Sequence, residues 1–202
     1  LSNAITMVIT LKISFTVNDL TACGDNLGTI ELLGIDSEKE YEFKLVELNS
    51  LESKDAFIME FNIPSNDYNL TIPLFNTDGY DFVIDWGDGN VSPRITTWNS
   101  SFLAHSYETA GAYQVKITGL CPRIYFYNSS NRNDLTKIVQ WGNVGFTSFY
   151  SAFQGCTNLS YLPDGPITGA TNVTDFTVCF HKNSLQTIPE DLFANCPNAT
   201  TF

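Results

Sequence analysis

The chain has 202 residues, 43% of them hydrophobic and 13% aromatic, a composition too apolar for a disordered segment and long enough for two or three modules. Ten Lys and Arg against 22 Asp and Glu leave a formal charge of −12, which disfavours nucleic acid or an anionic membrane surface as partner. Five cysteines without a Cys-x-x-Cys pair lack zinc-ligand spacing, and no run of 18 apolar residues is available to span a membrane as a helix.

Residues 1–64 read as a β module of unknown type. Odd positions from Ile5 to Val17 are apolar and the even ones mostly Thr, Lys and Ser, the alternation of a half-buried strand. Leu20 to Gly24 resembles a lipoprotein cleavage box around Cys23, but Lys12, Asn18 and Asp19 interrupt the apolar run such a signal needs. Further strands are expected near 29–34, 41–48 and 56–63, joined by an acidic stretch from Asp36 to Glu42, and Pro64 to Asp67 marks a boundary.

Residues 65–120 form a second unit. Alternation from Tyr80 to Asp85 leads into Trp86-Gly87-Asp88-Gly89-Asn90, a tight turn in which Asp-Gly favours left-handed backbone. After His105 and Tyr107 comes Gly111, then a strand with Tyr113, Val115 and Ile117 on one face. Short strands at this spacing imply a sandwich.

Residues 121–202 are repetitive. Phe149, Phe153, Leu159, Leu162, Pro163 and Asn172 recur as Phe176, Phe180, Leu185, Ile188, Pro189 and Asn198 at offsets of 26 or 27, and Phe202 opens a third copy. This period marks a solenoid whose units bury their apolar sides against one another. Apolar residues at i, i+3 and i+4 in Thr147 to Phe153 and Thr174 to Phe180 predict one or two helical turns each, with Thr174 as N-cap. Each Leu-x-x-Leu/Ile predicts a strand of three or four residues stopped by Pro, its two aliphatics lining the core. Leu135 and Ile138 show the same internal spacing upstream of Leu159 and Leu162, with Trp141 and Gly142 in place of Pro; they read as an atypical first strand capping the stack. Cys179 stands in the column of Ala152 and Cys196 in that of Ala170, which makes both core thiols; a Cys156–Cys179 disulfide is the alternative in an oxidising compartment.

Chemistry-bearing motifs are scarce. The two histidines, His105 and His181, accompany no nucleophile motif, and a nucleophile elbow, a Walker loop, a dinucleotide fingerprint and a His-Glu-x-x-His helix are absent. Asp81, Asp85, Asp88 and Asn90 cluster oxygens but lack calcium-loop spacing, and a hairpin turn accounts for them. Seven Asn-x-Ser/Thr sequons, at Asn69, Asn90, Asn99, Asn128, Asn158, Asn172 and Asn198, read as turn asparagines. The expectation is therefore no catalysis, no cofactor and no metal, with Tyr150 and Tyr161 as exposed aromatics in the repeats.

Asp85 to Gly89, His105-x-Tyr107 and Gly111-x-Tyr113-x-Val115 together resemble the PKD domain, an immunoglobulin-like sandwich of extracellular proteins. Ile138 to Gly142, Phe153 to Leu159, Ile188-Pro189 and Leu192-Phe193 resemble BspA-like leucine-rich repeats of bacterial surface proteins. The fold class implied is mainly β with a short α/β solenoid: a β module, a PKD-like sandwich, then about two repeats with an N-terminal cap. The resemblance implies a non-catalytic adhesion module binding a protein or glycan at a bacterial cell surface, without membrane insertion. The alternative is a structural or receptor-binding part of a bacteriophage tail fibre. An uncapped solenoid end exposes core, so self-association or further repeats are expected at the C-terminal end.

Overall fold

The computed structural model describes residues 55–202, which fall within a compact unit spanning Leu45–Phe202. The strands expected before residue 49 lie outside the described residues. The architecture is mainly β: β1 (Phe57–Ile63), β2 (Tyr68–Thr71), β3 (Asp81–Asp85), a 3-10 turn (Ser101–Leu103), β4 (Ala104–Tyr107), β5 (Gly111–Leu120) and β6 (Leu135–Gln140). Four strands make one antiparallel sheet in the order β3-β5-β1-β6, and β2 pairs with β4 in a second.

β1 is central because its sequence can be. Phe57, Met59, Phe61 and Ile63 are fully buried on one face, and on the other face Glu60 meets Lys137 of β6 at 2.8 Å. Its register runs from Phe57 opposite Ile117 to Ile63 opposite Gly111, while its pairing with β6 shifts register after Ile58 and after Glu60. β1 thus shares its sheet with the strands that follow it. Pro64 to Asp67, expected as a boundary, is a turn with Asp67 at φ 56° and Asn66 Oδ1 accepting from the Ala110 amide at 2.9 Å.

The Trp86 to Asn90 segment turns back as its Asp-Gly chemistry dictates. Trp86 N–H donates to Asn90 O at 3.0 Å, Asp85 and Asp88 carboxylates accept the amides two residues on, and Ser92 N–H returns to Ile84 O at 2.8 Å. His105 lies flat on Trp86, ring centroids 5.0 Å apart at 17°, with its Nε2 2.7 Å from Asp88 Oδ2.

After β6 the chain winds through turns rather than helices, which corrects the helical turns expected at Thr147 to Phe153 and Thr174 to Phe180 and with them the α part of the fold class. Thr174 is not an N-cap; its carbonyl accepts from the Thr200 amide at 2.9 Å. The physical reason lies in the backbone: Ser151 and Val178 sit at φ 53° and 51°, so bonds such as Ala152 N–H to Phe149 O close single turns that cannot propagate. The amides freed by this geometry go sideways. Those of Phe149, Ser151, Phe153 and Gly155 donate to the carbonyls of Asp175, Thr177, Cys179 and His181 at 2.8–3.1 Å, each acceptor lying in the following unit.

Rings follow the same register. Phe126, Phe153 and Phe180 stack at 6.2 and 5.6 Å, and Phe149, Phe176 and Phe202 at 5.3 and 5.6 Å. Leu159 and Leu162 are buried, but the three- to four-residue strand expected around them is reduced to one bridge between Tyr161 and Lys137 of β6. In the second copy Leu185 is half-buried and Ile188 is 48% exposed, so that pair does not line the core as expected. Leu135 and Ile138 are fully buried, and β6 joins sheet to stack, its Thr136 carbonyl accepting from the Ser160 amide at 3.0 Å. Cys121, Cys156, Cys179 and Cys196 are buried free thiols, so the alternative Cys156–Cys179 disulfide is not formed.

Candidate functional site

The aromatic face beside the stack is built by Pro122 to Tyr127. Ile124 and Phe126 point into the core, so the period of two directs Arg123, Tyr125 and Tyr127 outward. This segment is fixed on both sides: Tyr125 N–H donates to Pro73 O at 3.0 Å, and Phe126 N–H to Ala152 O at 2.8 Å. Beneath it the buried Tyr80 hydroxyl lies 2.8 Å from both Phe75 O and Arg123 O, tying the two ring-bearing segments together; burial pushes that phenol well above its ordinary value.

On this base the rings meet edge to face. Phe75 and Tyr125 are 5.3 Å apart at 77°, and Tyr125 and Tyr127 are 6.0 Å apart at 79°. Arg123 places its guanidinium carbon 3.6 Å from the Phe75 ring centroid, a cation–π contact that holds the arginine against the patch. Tyr150 lies on the neighbouring turn, its amide donating to Ser148 Oγ at 3.1 Å. Burial first, then the Tyr150 and Tyr127 hydroxyls, raise the Tyr125 phenol, while Arg123 opposes them. None of Tyr125, Tyr127 or Tyr150 has a hydroxyl partner among the described residues, and Tyr127 and Tyr150 are 40% and 38% exposed.

Asp175 borders this face. Desolvation is the largest single influence on its carboxyl, but hydrogen bonds from Thr177 and Thr201, with the Arg123 charge, outweigh it and hold the group below its ordinary value.

The residues singled out from sequence are dispersed. Tyr161 is 46% exposed but pairs with β6 through its bridge to Lys137. His105 is tied to Asp88, and His181 Nδ1 lies 3.3 Å from Gln154 Nε2 in the stack. Asp81 pairs with Arg94 and Asp85 with Lys116, so the oxygens of that turn are divided among basic partners. Among the described residues no three His, Cys, Asp or Glu side chains group as metal ligands would. Phe75, Arg123, Tyr125 and Tyr127 escaped the sequence reading. The alternation of Arg123-Ile124-Tyr125-Phe126-Tyr127 was the available signal.

Two shallow concavities lie among the described residues. One dip of about 230 Å³ lies between Trp86, Val91, Phe102 and His105, and another of about 240 Å³ between Trp141, Pro163, Asp164 and Pro166. Both fall below the roughly 300–1,000 Å³ of small-molecule pockets. The rigid aromatic face is the more developed feature, suited to flat contact. Compared with protein-family models, curated proteins and solved structures, the chain matches none of them.

Proposed function

We propose that this chain is a non-catalytic recognition module of an extracellular bacterial surface protein, binding a protein or glycan through the face of Phe75, Arg123, Tyr125, Tyr127 and Tyr150. The observation that carries it is the edge-to-face run of Phe75, Tyr125 and Tyr127, its two tyrosine hydroxyls unpartnered among the described residues, on segments pinned from beneath by Tyr80. Tyrosine and arginine are the residues that anchor interfaces, because each brings a large rigid contact area with few rotamers to freeze. In the same reading the sheets of residues 65–120 are a PKD-like unit, and the stacked turns of 121–202 are BspA-like repeats. The stacking of Phe149 on Phe176 and of Phe153 on Phe180 supports it. Non-catalytic use is supported by Cys121, Cys156 and Cys179, whose thiols burial pushes up and away from the reactive thiolate.

The test is binding of the purified chain to a glycan array and to intact cells, compared with Tyr125→Ser and Tyr150→Ser. Loss of an anchor worth about 2 kcal/mol weakens binding roughly 30-fold. Unchanged binding by both variants would remove this face from the proposal; no ligand at millimolar concentration in either format would remove recognition itself.

A further inference from the structure

The ladder between turn units has a second side. In the first unit the amides of Phe149, Ser151, Phe153 and Gly155 all donate to the next unit. Their counterparts in that next unit are Phe176, Val178, Phe180 and Lys182. Phe176 N–H donates to Thr201 O at 2.9 Å, but the amides of Val178, Phe180 and Lys182 have no acceptor among the described residues.

The backbone is nevertheless set for donation. Val178 and Lys182 hold φ 51° and 59°, as their counterparts Ser151 and Gly155 hold 53° and 77°. A β-branched residue at positive φ is a genuine steric outlier, so the local structure sustains this geometry against a cost. Burial tells the same story from the side chains. Ser151, Phe153, Leu159 and Leu162 are buried, while Val178 and Ile188 are exposed and Phe180 and Leu185 only half-buried.

We propose that this edge is an assembly edge for one further turn unit of the same pattern, carried by polypeptide continuous with Thr201 and Phe202. The first rung is already in place: Thr201 O accepts from Phe176, and the Phe202 ring stacks on Phe176 at 10°. The remaining rungs require carbonyls from the second, fourth and sixth residues after Thr201, and a further ring one repeat beyond Phe180. A second copy of the chain paired through the same edge meets this need less well. The carbonyls of Phe176 and Val178 are already taken by the amides of Cys179 and His181, so such an edge offers fewer acceptors than donors to its own copy. The inference is independent of any ligand at the aromatic face.

Amide hydrogen exchange tests it, on the chain and on the chain extended after Phe202 by a repeat of residues 177–202. In the unextended chain Val178, Phe180 and Lys182 should exchange quickly and independently of protein concentration, while Ser151, Phe153 and Gly155 are protected. In the extended chain the three fast amides should slow by at least about 100-fold, and an extension of scrambled sequence should leave them fast. Equal protection of both sets in the unextended chain would overturn the proposal. So would protection that rises with protein concentration, or a scrambled extension as effective as the patterned one.

Discussion

Replacing Phe153 with alanine removes the middle ring of the Phe126–Phe153–Phe180 column, which also packs against Trp141 and Phe149 at 6.1 and 6.2 Å. The ring is fully buried, with neighbours belonging to successive turns and to the end of β6, so the site has little freedom to collapse. The expected cost is about 3–5 kcal/mol. With a urea slope of about 2 kcal/mol per molar, the midpoint falls by roughly 2 M while the slope is unchanged. Phe202 is 70% exposed, so Phe202→Ala forfeits only about a third of a buried ring's transfer energy, under about 1 kcal/mol. Phe180→Ala should fall between them, since its ring is covered on one side. The assay is urea unfolding followed by far-ultraviolet circular dichroism and tryptophan fluorescence. Equal costs at positions 153 and 202, or a Phe153→Ala cost below about 1 kcal/mol, would refute the idea that successive turns share one interior.

Acid should weaken the Trp86 to Asn90 turn in a defined direction. Desolvation pushes the Asp88 carboxyl up, but hydrogen bonds from His105 and Asn90 outweigh it and hold the group below its ordinary 3.8. The unfolded chain then binds the proton more readily, so this stabilisation is present above pH 3.8 and is lost as pH falls through the folded value. Asp88→Asn should cost about 1 kcal/mol at pH 7 and nothing at pH 2, read as urea midpoints across pH. At Gly142, φ is 64° and a Cβ would run into the Ala56 backbone, whereas at Gly89, φ 94°, it would meet nothing. Gly142→Ala should therefore cost several times the roughly 1 kcal/mol of backbone strain expected for Gly89→Ala, measured as the difference in unfolding free energy. Burial pushes the Cys156 thiol up to about 12, and Cys121 and Cys179 are fully buried with it. A disulfide reagent at pH 8 should leave these three unmodified for as long as the chain stays folded and titrate them promptly in denaturant.

Where side-chain periodicity alone determined the outcome, the sequence was readable. The pairs Phe149 with Phe176 and Phe153 with Phe180 stack as their spacing implied, and Tyr113, Val115 and Ile117 share the face expected of them. Backbone conformation was less legible. The i, i+3, i+4 spacing suits any backbone that turns every three or four residues, and only the positive φ at Ser151 and Val178 separates a run of tight turns from a helix. Neither residue advertises that geometry, because neither is Gly, Asn or Asp. The aromatic face was hidden for another reason. Phe75 and Arg123 come together through the bridge between Leu74 and Ile124 and through the Tyr80 hydroxyl, contacts between segments distant in sequence that no local pattern encodes.

The two surfaces make opposite demands on the same scaffold. The recognition we propose at Tyr125 and Tyr150 requires a backbone that does not yield on contact, since ordering an adaptable loop would consume the binding energy its rings supply. That rigidity comes from Pro73, Tyr80 and Ala152, all tied to the buried interior. The edge at Val178, Phe180 and Lys182 is unfinished by the same measure, with donors in place and acceptors missing among the described residues. Completing the edge would bury Phe180 and thereby brace Phe153 and Phe126, whose backbone carries Tyr125 and Tyr127. Ligand affinity at the aromatic face should therefore rise, if only by a few fold, when a further unit covers the edge, because the column of rings links the two mechanically. Titrating one ligand against the chain with and without the patterned extension measures that coupling, and equal affinities would show that the column transmits nothing.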